Sequence, residues 1–303
     1  MAFDEIVCAG NNLLGDCLCT TPTVRAFRKM HPDAKLVYVV QNKPHCRVLE
    51  GNPDIDHVIY TDEFPVPDPG PSRRAWLQNL GIDASADSEL RHFDIHALHR
   101  SHPAVFKDHL SRGFARMFAV SIDSVRPVVT VDAAHRDAAR ALLNGRTIVF
   151  GMHTTSPVVG KDRESTLKDW VVERWLRLAR ELRTRGFDII AVGSPNDQRL
   201  ESRYLRNFYG LPILVTAALL AEAACVVTVE SGLSHLCHAV DARMVLIFSR
   251  DVPLEWAAPE EATRCRVIYD DPRFVTCERV LAAIKSVMAM RPADERISAS
   301  TAR

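Results

Sequence analysis

Short runs of apolar residues alternate along this chain with segments in which apolar positions recur at helical spacing. Apolar runs of about four to eight residues are typical of strands buried on both faces of a parallel sheet. Such runs predict strands over residues 5–9, 35–40, 57–60, 126–131, 147–152, 188–192, 225–229 and 244–248. A helix that ends at Arg28 is predicted after the first strand, and further helices are predicted over residues 133–143, 170–185, 219–224, 233–240 and 277–290. This alternation predicts an α/β fold.

The chain of 303 residues is long enough for two domains that each bury a core. Strands and helices alternate in both halves, which predicts two Rossmann-like domains. The predicted helix 133–143 is followed by Asn144 and Gly145, a typical helix end. We therefore place the junction there, with a first domain of residues 1–144 and a second of residues 145–303 that closes with a helix and a mobile tail. Four prolines within residues 64–72 predict a surface loop.

The turn between the predicted strand 225–229 and the helix 233–240 carries Glu230, Ser231 and Gly232. A helix N-terminus presents backbone N–H groups and a positive dipole end, which favour an anion such as phosphate. A carboxylate beside it can accept hydrogen bonds from sugar hydroxyls. The turn therefore suits a ligand that combines phosphate and sugar. The alternative is that Ser231 and Gly232 only cap the helix and let the chain turn.

Another chemical group follows the first predicted strand, where Gly10 and Gly15 have the spacing of a phosphate-binding loop. Asp16 stands where that loop requires lysine, and a carboxylate there would repel a phosphate. The positive end of the following helix favours the ionised carboxylate, which could then serve as a general base. The alternative role for Asp16 is a helix cap.

Polar residues also follow the predicted strand 147–152. After His153, the hydroxyls come from Thr154, Thr155 and Ser156, and the cation comes from Lys161 or Lys168. Hydrogen-bond donors and a compact cation are what a pyrophosphate requires. Asp197 follows the next predicted strand and could accept hydrogen bonds from ribose hydroxyls, with a helix cap as the equal alternative.

Composition and charge narrow the function classes. Hydrophobic residues make up 47% of the chain, charged residues 25%, and the formal net charge is zero, which argues against general nucleic-acid binding. The eight cysteines contain no Cys-x-x-Cys pair, so we expect reduced thiols, no zinc and a cytoplasmic protein. A membrane-spanning helix needs about 20 consecutive apolar residues, and the sequence has no apolar run of that length. We therefore expect at most peripheral membrane contact.

Basic residues cluster between Arg91 and Arg112. The cluster contains Arg91, His92, His96, His99, Arg100, His102, Lys107, His109 and Arg112, against Asp94 and Asp108. Because the rest of the chain is balanced in charge, this local excess could form a rim that docks an anionic substrate. A solvated charged face is the alternative.

Four segments match the motifs of one known family. Residues 230–236, Glu-Ser-Gly-Leu-Ser-His-Leu, are similar to the pattern Asp-Thr-Gly-Leu/Pro-Ser/Met-His-Leu, and residues 15–22 to Gly-Asp-x-Leu-x-Thr-Thr-Pro. Residues 52–58 are similar to Asn-Pro-x-Ile-Asp-x-Val, and residues 153–170 to His-Ala-Thr-Thr followed by Lys-x-Trp-Pro, with Lys168 as the counterpart of the lysine. These motifs resemble glycosyltransferase family 9, the heptosyltransferases. The chain departs from them at Glu230, which replaces Asp, and at residues 249–251, which replace Gly-Pro-Thr/Ser.

The resemblance implies a GT-B fold, with two Rossmann-like domains facing each other across a cleft, and metal-independent sugar transfer with inversion at the anomeric carbon. The implied donor is a nucleotide diphosphate sugar similar to ADP-heptose, and the acceptor is a lipopolysaccharide or another anionic glycan or lipid-linked molecule. No other cofactor is implied. We expect the enzyme to be cytoplasmic and to contact the inner membrane at most peripherally.

The resemblance, together with the local charge, implies a role for each candidate residue. We expect Asp16 to be the general base. The donor contacts are His153, Thr154, Thr155, Lys168, Asp197, Glu230, Ser231, Gly232 and His235, and the acceptor contacts are Gly15, Arg100 and Lys107. Because Glu230 is longer than the family's Asp, a donor other than ADP-heptose is an alternative.

Two other function classes stay open at this point. A non-catalytic two-domain protein that binds a sugar nucleotide could carry the same donor motifs. A dinucleotide-dependent oxidoreductase would need Gly-x-Gly-x-x-Gly after a strand, a pattern that the sequence lacks.

Overall fold

The structure is a computed structural model, which describes residues 2–9, 13–62, 71–93, 108–154, 168–260 and 264–290. For residues 2–9, 73 and 83–92 only the backbone is described. The chain divides into two compact units, Met1–Thr130 and Val131–Arg303. Each unit is built on its own parallel sheet and is described by itself.

The first unit contains four strands and three α-helices in its described part. In chain order these are β1 (Ala2–Ala9), α1 (Leu14–Met30), β2 (Leu36–Gln41), a 3-10 helix (Pro44–Leu49), β3 (His57–Thr61), α2 (Pro71–Asn79), β4 (Asp83–Phe93) and α3 (Leu110–Met117). The sheet order is β3-β2-β1-β4, and every described pair is parallel. The chain therefore adds β2 and β3 on one side of β1 and then returns to add β4 on the other side.

The core of the first unit lies on both faces of this sheet. Val37 and Val39 of β2 pack with Trp76 and Leu77 of α2 and with Ile82, the residue before β4. An aromatic group joins β4 to α3, with Phe93 stacked on Phe118 at 4.2 Å between ring centroids and edge-on to Phe114 at 5.3 Å. Helices on both faces explain why all of β2 except its last residue is buried.

The second unit contains six strands and six helices in its described part. In chain order these are α4 (Ala133–Arg140), β5 (Thr147–Gly151), α5 (Val172–Thr184), β6 (Asp188–Gly193), β7 (Arg206–Tyr209), α6 (Ile213–Glu222), β8 (Cys225–Val229), α7 (Gly232–Ala239), β9 (Met244–Ser249), α8 (Leu254–Ala257), β10 (Cys265–Asp270) and α9 (Cys277–Met288). The sheet order is β10-β9-β8-β5-β6-β7, and all of its described pairs are parallel. Every residue of β5, β8 and β9 is buried, as the apolar runs predict.

These observations confirm the predicted α/β fold with parallel sheets, and they correct the predicted domain boundary. The junction was predicted after Asn144, but the second unit begins at Val131. The reason is that α4 belongs to the second unit. Arg140 of α4 makes two hydrogen bonds to the carboxylate of Glu222 at the end of α6, at 2.7 and 3.1 Å.

The segment 126–131 was predicted to be a strand and is not one. The backbone N–H of Val128 donates to the side-chain hydroxyl of Thr21 at 2.8 Å, so a side chain on α1 takes the place of a neighbouring strand. The loop predicted over residues 64–72 is also corrected in part, since α2 begins at Pro71, where the missing proline N–H costs nothing. The rest of that loop and the predicted C-terminal tail lie outside the described residues.

Three strands, β4, β7 and β10, were missed, and each is at the edge of its sheet. Edge strands pair on one side only, so they need no continuous apolar run, and β4 reads Asp-Ala-Ser-Ala-Asp-Ser-Glu-Leu-Arg-His-Phe. The helix predicted over residues 219–224 starts earlier, at Ile213, and ends at Glu222. Among the described residues, no helix combines the length and the apolar character needed to cross a membrane.

Candidate functional site

The sheet of the second unit has one point at which the order of strand addition reverses. β5 and β8 are neighbours there, since β6 and β7 extend the sheet beyond β5, while β9 and β10 extend it beyond β8. Ligands of open α/β sheets bind outside the carboxyl ends of the strands at such a point. His153 and Thr154 follow β5, and Glu230 and Ser231 follow β8. The fold therefore brings these predicted donor-binding residues to one edge of the sheet.

Gly151, the last residue of β5, lets the start of α7 approach this edge. A side chain at Gly151 would overlap the side chain of Leu233 and would come within 2.7 Å of the hydroxyl oxygen of Thr228. The Thr228 hydroxyl donates a hydrogen bond to the Gly151 carbonyl at 3.0 Å. The absence of a side chain at Gly151 thus allows the first turn of α7 to pack against the end of β5.

The turn before α7 is capped, as the alternative reading proposed. The N–H of Ser231 donates to the hydroxyl of Ser234 at 3.2 Å, and that hydroxyl donates back to the Ser231 carbonyl at 2.7 Å. The Ser231 hydroxyl itself donates to the carbonyl of Val229 at 3.3 Å. Ser234 therefore performs most of the capping, and Ser231 and Gly232 form the rigid entrance to the helix.

Lys168 and Glu230 form an ion pair at this edge. The ammonium of Lys168 contacts the Oε2 atom of Glu230, and only 3% and 6% of the two side chains are exposed. The ammonium also lies 5.8 Å from the centroid of the Trp256 ring, within the range of a cation–π contact. The structure brings together these two predicted donor-binding residues from distant parts of the sequence.

His235 lies on α7 beside this pair and is buried. Burial lowers the pKa of His235, the charge of Glu230 opposes that shift, and the charge of Lys168 adds to it. The imidazole is therefore neutral at physiological pH. It can donate or accept a hydrogen bond but adds no charge to the site.

A polar cluster occupies the ends of β5, β6 and β7. The Nε2 atom of His153 and the hydroxyl of Tyr209 lie 3.3 Å apart in a hydrogen bond. Burial and the nearby charge of Asp197 raise the pKa of Tyr209 to about 12, so the phenol stays protonated. The absence of a side chain at Gly193 makes room for this cluster, because a Cβ there would lie 2.8 Å from both Asp197 and Tyr209.

Asp197 closes a local turn, since its Oδ2 atom accepts the N–H of Ser194 at 2.7 Å. The helix-cap alternative is wrong, because no helix begins at Asp197 and β7 is the next element after this turn. The contact of Asp197 with a ribose stays a prediction. Tyr209 was missed from the sequence because β7 was missed. The signal that could have found it is an aromatic residue followed by Gly210, which adopts a positive φ of 79° at the strand end.

Asp16 occupies the corresponding place in the first unit, where the order of strand addition reverses between β1 and β4. It lies in the first turn of α1, and the capping position belongs to Leu13, which makes no side-chain cap. Asp16 is therefore not the N-cap residue. Gly15 precedes it in the same turn.

The threonines that follow Asp16 hold α1 in place. Pro22 lies inside the helix and lacks the N–H that would bond to the Leu18 carbonyl, and the hydroxyl of Thr21 donates to that carbonyl instead, at 2.7 Å. The same hydroxyl accepts the N–H of Val128 at 2.8 Å. The hydroxyl of Thr20 bonds to the hydroxyl of Tyr38 on β2 at 2.8 Å. This part of the motif is structural, and it orients the turn that carries Asp16.

The remaining predicted residues fall partly outside the described chain. Thr155, Arg100 and Lys107 lie there, as does Lys161. At the described end of the basic cluster, His109 caps α3, because its Nδ1 atom accepts the N–H of Ser111 at 3.1 Å. Asp108 pairs with Arg116 on the same helix. This end of the cluster therefore has a structural role.

Comparison with known proteins identifies the family to which this chain belongs. The family model of glycosyltransferase family 9 (heptosyltransferase) matches residues 81–277, about two thirds of the chain. The chain belongs to glycosyltransferase family 9. The match includes the segments around Lys168 and Glu230, and the protein is a glycosyltransferase of this family.

Solved structures of similar fold include several glycosyltransferases. A glycosyl transferase family 9 structure from Veillonella parvula has a TM-score of 0.69 at 16% identity, covering 94% of this chain and 97% of that one. The Escherichia coli ADP-heptose lipopolysaccharide heptosyltransferase II has a TM-score of 0.67 at 16% identity, covering 94% and 98%. The search of curated proteins returned no match.

A third structure is TibC from enterotoxigenic Escherichia coli, described as an iron-containing dodecameric glycosyltransferase. Its TM-score is 0.63 at 15% identity, covering 94% of this chain and 76% of that one. TibC has also been solved in complex with ADP-D-β-D-heptose. These likenesses confirm the predicted GT-B class of fold.

Proposed function

We propose that this family 9 enzyme transfers a heptose-like sugar from a nucleotide diphosphate donor, similar to ADP-heptose, to a hydroxyl of a lipopolysaccharide or another anionic glycan. The observation that carries the proposal is the ion pair of Lys168 and Glu230 at the sheet edge where strand order reverses, an edge that Thr154 shares after β5 and Ser231 after β8. Hydroxyls, a cation, a carboxylate and a helix N-terminus at one sheet edge match the parts of such a donor.

The donor's leaving group gains negative charge as the glycosidic bond breaks. In our proposal Lys168, the hydroxyls of Thr154 and Thr155, and the N-terminus of α7 stabilise this diphosphate. His153 and His235 orient the phosphates, Glu230 accepts hydrogen bonds from sugar hydroxyls, and Asp197 accepts them from the ribose. In this proposal these side chains and the helix dipole stabilise the leaving diphosphate in place of a metal ion, so the reaction is metal-independent.

The acceptor hydroxyl must lose a proton as it attacks the anomeric carbon. We assign this proton to Asp16 in the first turn of α1, with Gly15 leaving room for the acceptor. A single displacement from the face opposite the leaving diphosphate inverts the configuration at that carbon. Arg100 and Lys107 attract the anionic part of the acceptor. If the acceptor is a lipid-linked molecule, the enzyme meets it by peripheral contact with the inner membrane.

The test is a transfer assay with a panel of nucleotide diphosphate sugars, with and without a lipopolysaccharide core acceptor. We expect nucleoside diphosphate release that depends on the acceptor, with an inverted anomeric centre by NMR and unchanged turnover after exhaustive treatment with EDTA. Binding of a sugar nucleotide without turnover would identify a non-catalytic binding protein instead. Loss of activity with EDTA that iron or magnesium restores would disprove metal independence.

The role of Lys168 can be tested without turnover. Lys168→Gln should weaken donor and nucleoside diphosphate alike, by about 1.5 to 3 kcal/mol, because hydrogen bonds to charged groups have this strength. Isothermal titration measures both affinities. The matched control is Lys285→Gln, an exposed lysine on α9 of the same unit, which should leave both unchanged. Equal affinities in the wild type and Lys168→Gln would remove Lys168 from the site.

A further inference from the structure

The ion pair between Lys168 and Glu230 joins two residues that the proposed function assigns to different parts of the donor. The ammonium proposed to hold the diphosphate is in contact with the carboxylate proposed to hold the sugar. Both side chains are almost completely buried, where opposite charges attract more strongly than in water. A diphosphate that approaches Lys168 therefore meets an ammonium that is already in contact with a carboxylate.

The pair is built into the fold from both sides. On one side the N–H of Glu230 donates to the carbonyl of Ile247 at 3.2 Å, which fixes the residue at the end of β8. On the other side Trp170, two residues after Lys168, donates from its indole N–H to the Val275 carbonyl at 2.8 Å. Both residues thus lie next to groups that are hydrogen-bonded into the core of the second unit, unlike the partners of an exposed surface pair.

The identity of residue 230 matters for this contact. The family motif that this chain resembles has Asp at that position, and Glu carries its carboxylate farther from the backbone by one C–C bond, about 1.5 Å. A shorter carboxylate on the same backbone would stand farther from the ammonium. The close contact with Lys168 is therefore tied to the Glu that this chain carries.

We propose that Glu230 is a specificity-determining residue that competes with the diphosphate for Lys168 and so weakens the binding of the nucleoside diphosphate product more than that of the donor. The inference rests on the proposed function. When a diphosphate takes Lys168, the displaced carboxylate is left buried beside an anion, which is unfavourable. The donor offsets this loss because its sugar hydroxyls donate to the carboxylate, whereas the product has no sugar. Glu230 thereby favours product release.

The experiment is isothermal titration of ADP, and of ADP-heptose without acceptor, into the wild type and Glu230→Gln. Gln keeps the shape and removes the charge, so ADP should bind about 10-fold more tightly, and ADP-heptose should change by about 3-fold or less. In steady state the inhibition constant for ADP should fall relative to the donor KM. Glu255→Gln, an exposed carboxylate on α8 of the same unit, is the matched control and should change neither affinity.

Two further variants keep the test decisive if Glu230→Gln folds poorly. Glu230→Asp keeps the charge and shortens the side chain, so it should tighten ADP by about 3-fold even if Glu230→Gln folds poorly because Lys168 is left unpaired. In a Lys168→Gln background the gain from Glu230→Gln should shrink, since residues in contact have non-additive effects. Melting temperatures of all variants separate folding from binding.

The outcomes distinguish this inference from the proposed function. Suppose that the wild type binds ADP and that Lys168→Gln weakens this binding, but that neither Glu230→Gln nor Glu230→Asp strengthens it. Glu230 then does not compete for Lys168, although the proposed donor site is still supported. Equal tightening of ADP and ADP-heptose would also overturn the discrimination between product and donor. If the wild type binds neither ADP nor UDP, GDP or CDP, both the inference and the donor site fail.

Discussion

The start of α1 in the first unit and the start of α7 in the second occupy equivalent places, each beyond a strand at which strand order reverses. They use their polar residues differently. After Asp16, the hydroxyls of Thr20 and Thr21 bond to Tyr38, Leu18 and Val128 within the protein. Around α7, a lysine, a glutamate and a neutral histidine gather at one edge. The first region is a hydrogen-bonded scaffold around one carboxylate, and the second is a buried cluster of charged and polar side chains.

The two regions also differ in how charge is managed. In the second region the two buried charges neutralise each other, and burial lowers the pKa of His235 so that it adds no third charge. In the first region the carboxylate of Asp16 stands in a helix turn where the dipole favours an anion. In the function that we propose, similar sheet edges within one chain serve proton transfer in one unit and anion binding in the other.

The largest effect expected is from Asp16→Asn. If the first region supplies one reactive carboxylate, this change should lower kcat by roughly 10²- to 10⁴-fold, the usual contribution of a general base, with donor affinity and melting temperature nearly unchanged. Steady-state kinetics and thermal unfolding measure these quantities. Asp123→Asn, an exposed carboxylate of the same unit paired with Lys29, is the control and should keep full activity. An Asp16→Asn enzyme with most of its kcat would reduce Asp16 to a structural residue.

The next effect tests the scaffold itself. Thr21→Val removes the hydroxyl that serves both Leu18 and Val128, and each buried group left unsatisfied costs about 1 to 3 kcal/mol of folding free energy. Urea unfolding should show this loss, while kcat of the folded enzyme stays close to the wild type. Thr184→Val removes a similar hydrogen bond, from its hydroxyl to the Glu181 carbonyl, on an exposed helix end and should cost far less. A loss of kcat without a loss of stability would instead place Thr21 in the reaction.

A smaller effect concerns pH and the second region. Because burial lowers the pKa of His235, the folded protein binds fewer protons there than the unfolded chain. Its free energy of unfolding should therefore decrease as pH falls below about 6.5, the pKa of an unperturbed histidine, towards the lower pKa of the folded state. His235→Gln should lose this part of the pH dependence, and His235→Asn should reproduce the result. Parallel acid curves for the wild type and both variants would contradict a neutral buried histidine.

The smallest effect is expected from salt. If the basic cluster attracts an anionic acceptor to the first unit, the acceptor KM should rise a few-fold with ionic strength while the donor KM moves less, because exposed charges are screened. Arg100→Glu and Lys107→Glu should reproduce the rise at low salt. Lys29→Glu, an exposed lysine elsewhere on that unit, is the control. An acceptor KM that ignores both salt and charge reversal would leave the cluster a solvated face.

Much of the candidate site was readable from local patterns. The strand, turn and helix around Glu230 were predicted to within one residue, and Asp16 was placed at the head of its helix. Such features depend on apolar runs and on neighbours in the chain. Tyr209 was not readable, because β7 is a short edge strand whose residues are only partly buried or exposed. The capping role of Ser234 was also missed, since it depends on the geometry of one turn.

By itself the sequence determined the α/β class, the central strands, the family motifs and the residues that could do chemistry, because burial on both faces of a sheet requires continuous apolar runs. Only the tertiary structure decided which polar residues meet. The contact of Lys168 with Glu230, the hydrogen bond from the Val128 N–H to Thr21 and the assignment of α4 to the second unit all join segments far apart in the chain. The order of the strands sets these contacts, and that order follows from packing of the whole sheet, which no local pattern of apolar and polar residues encodes.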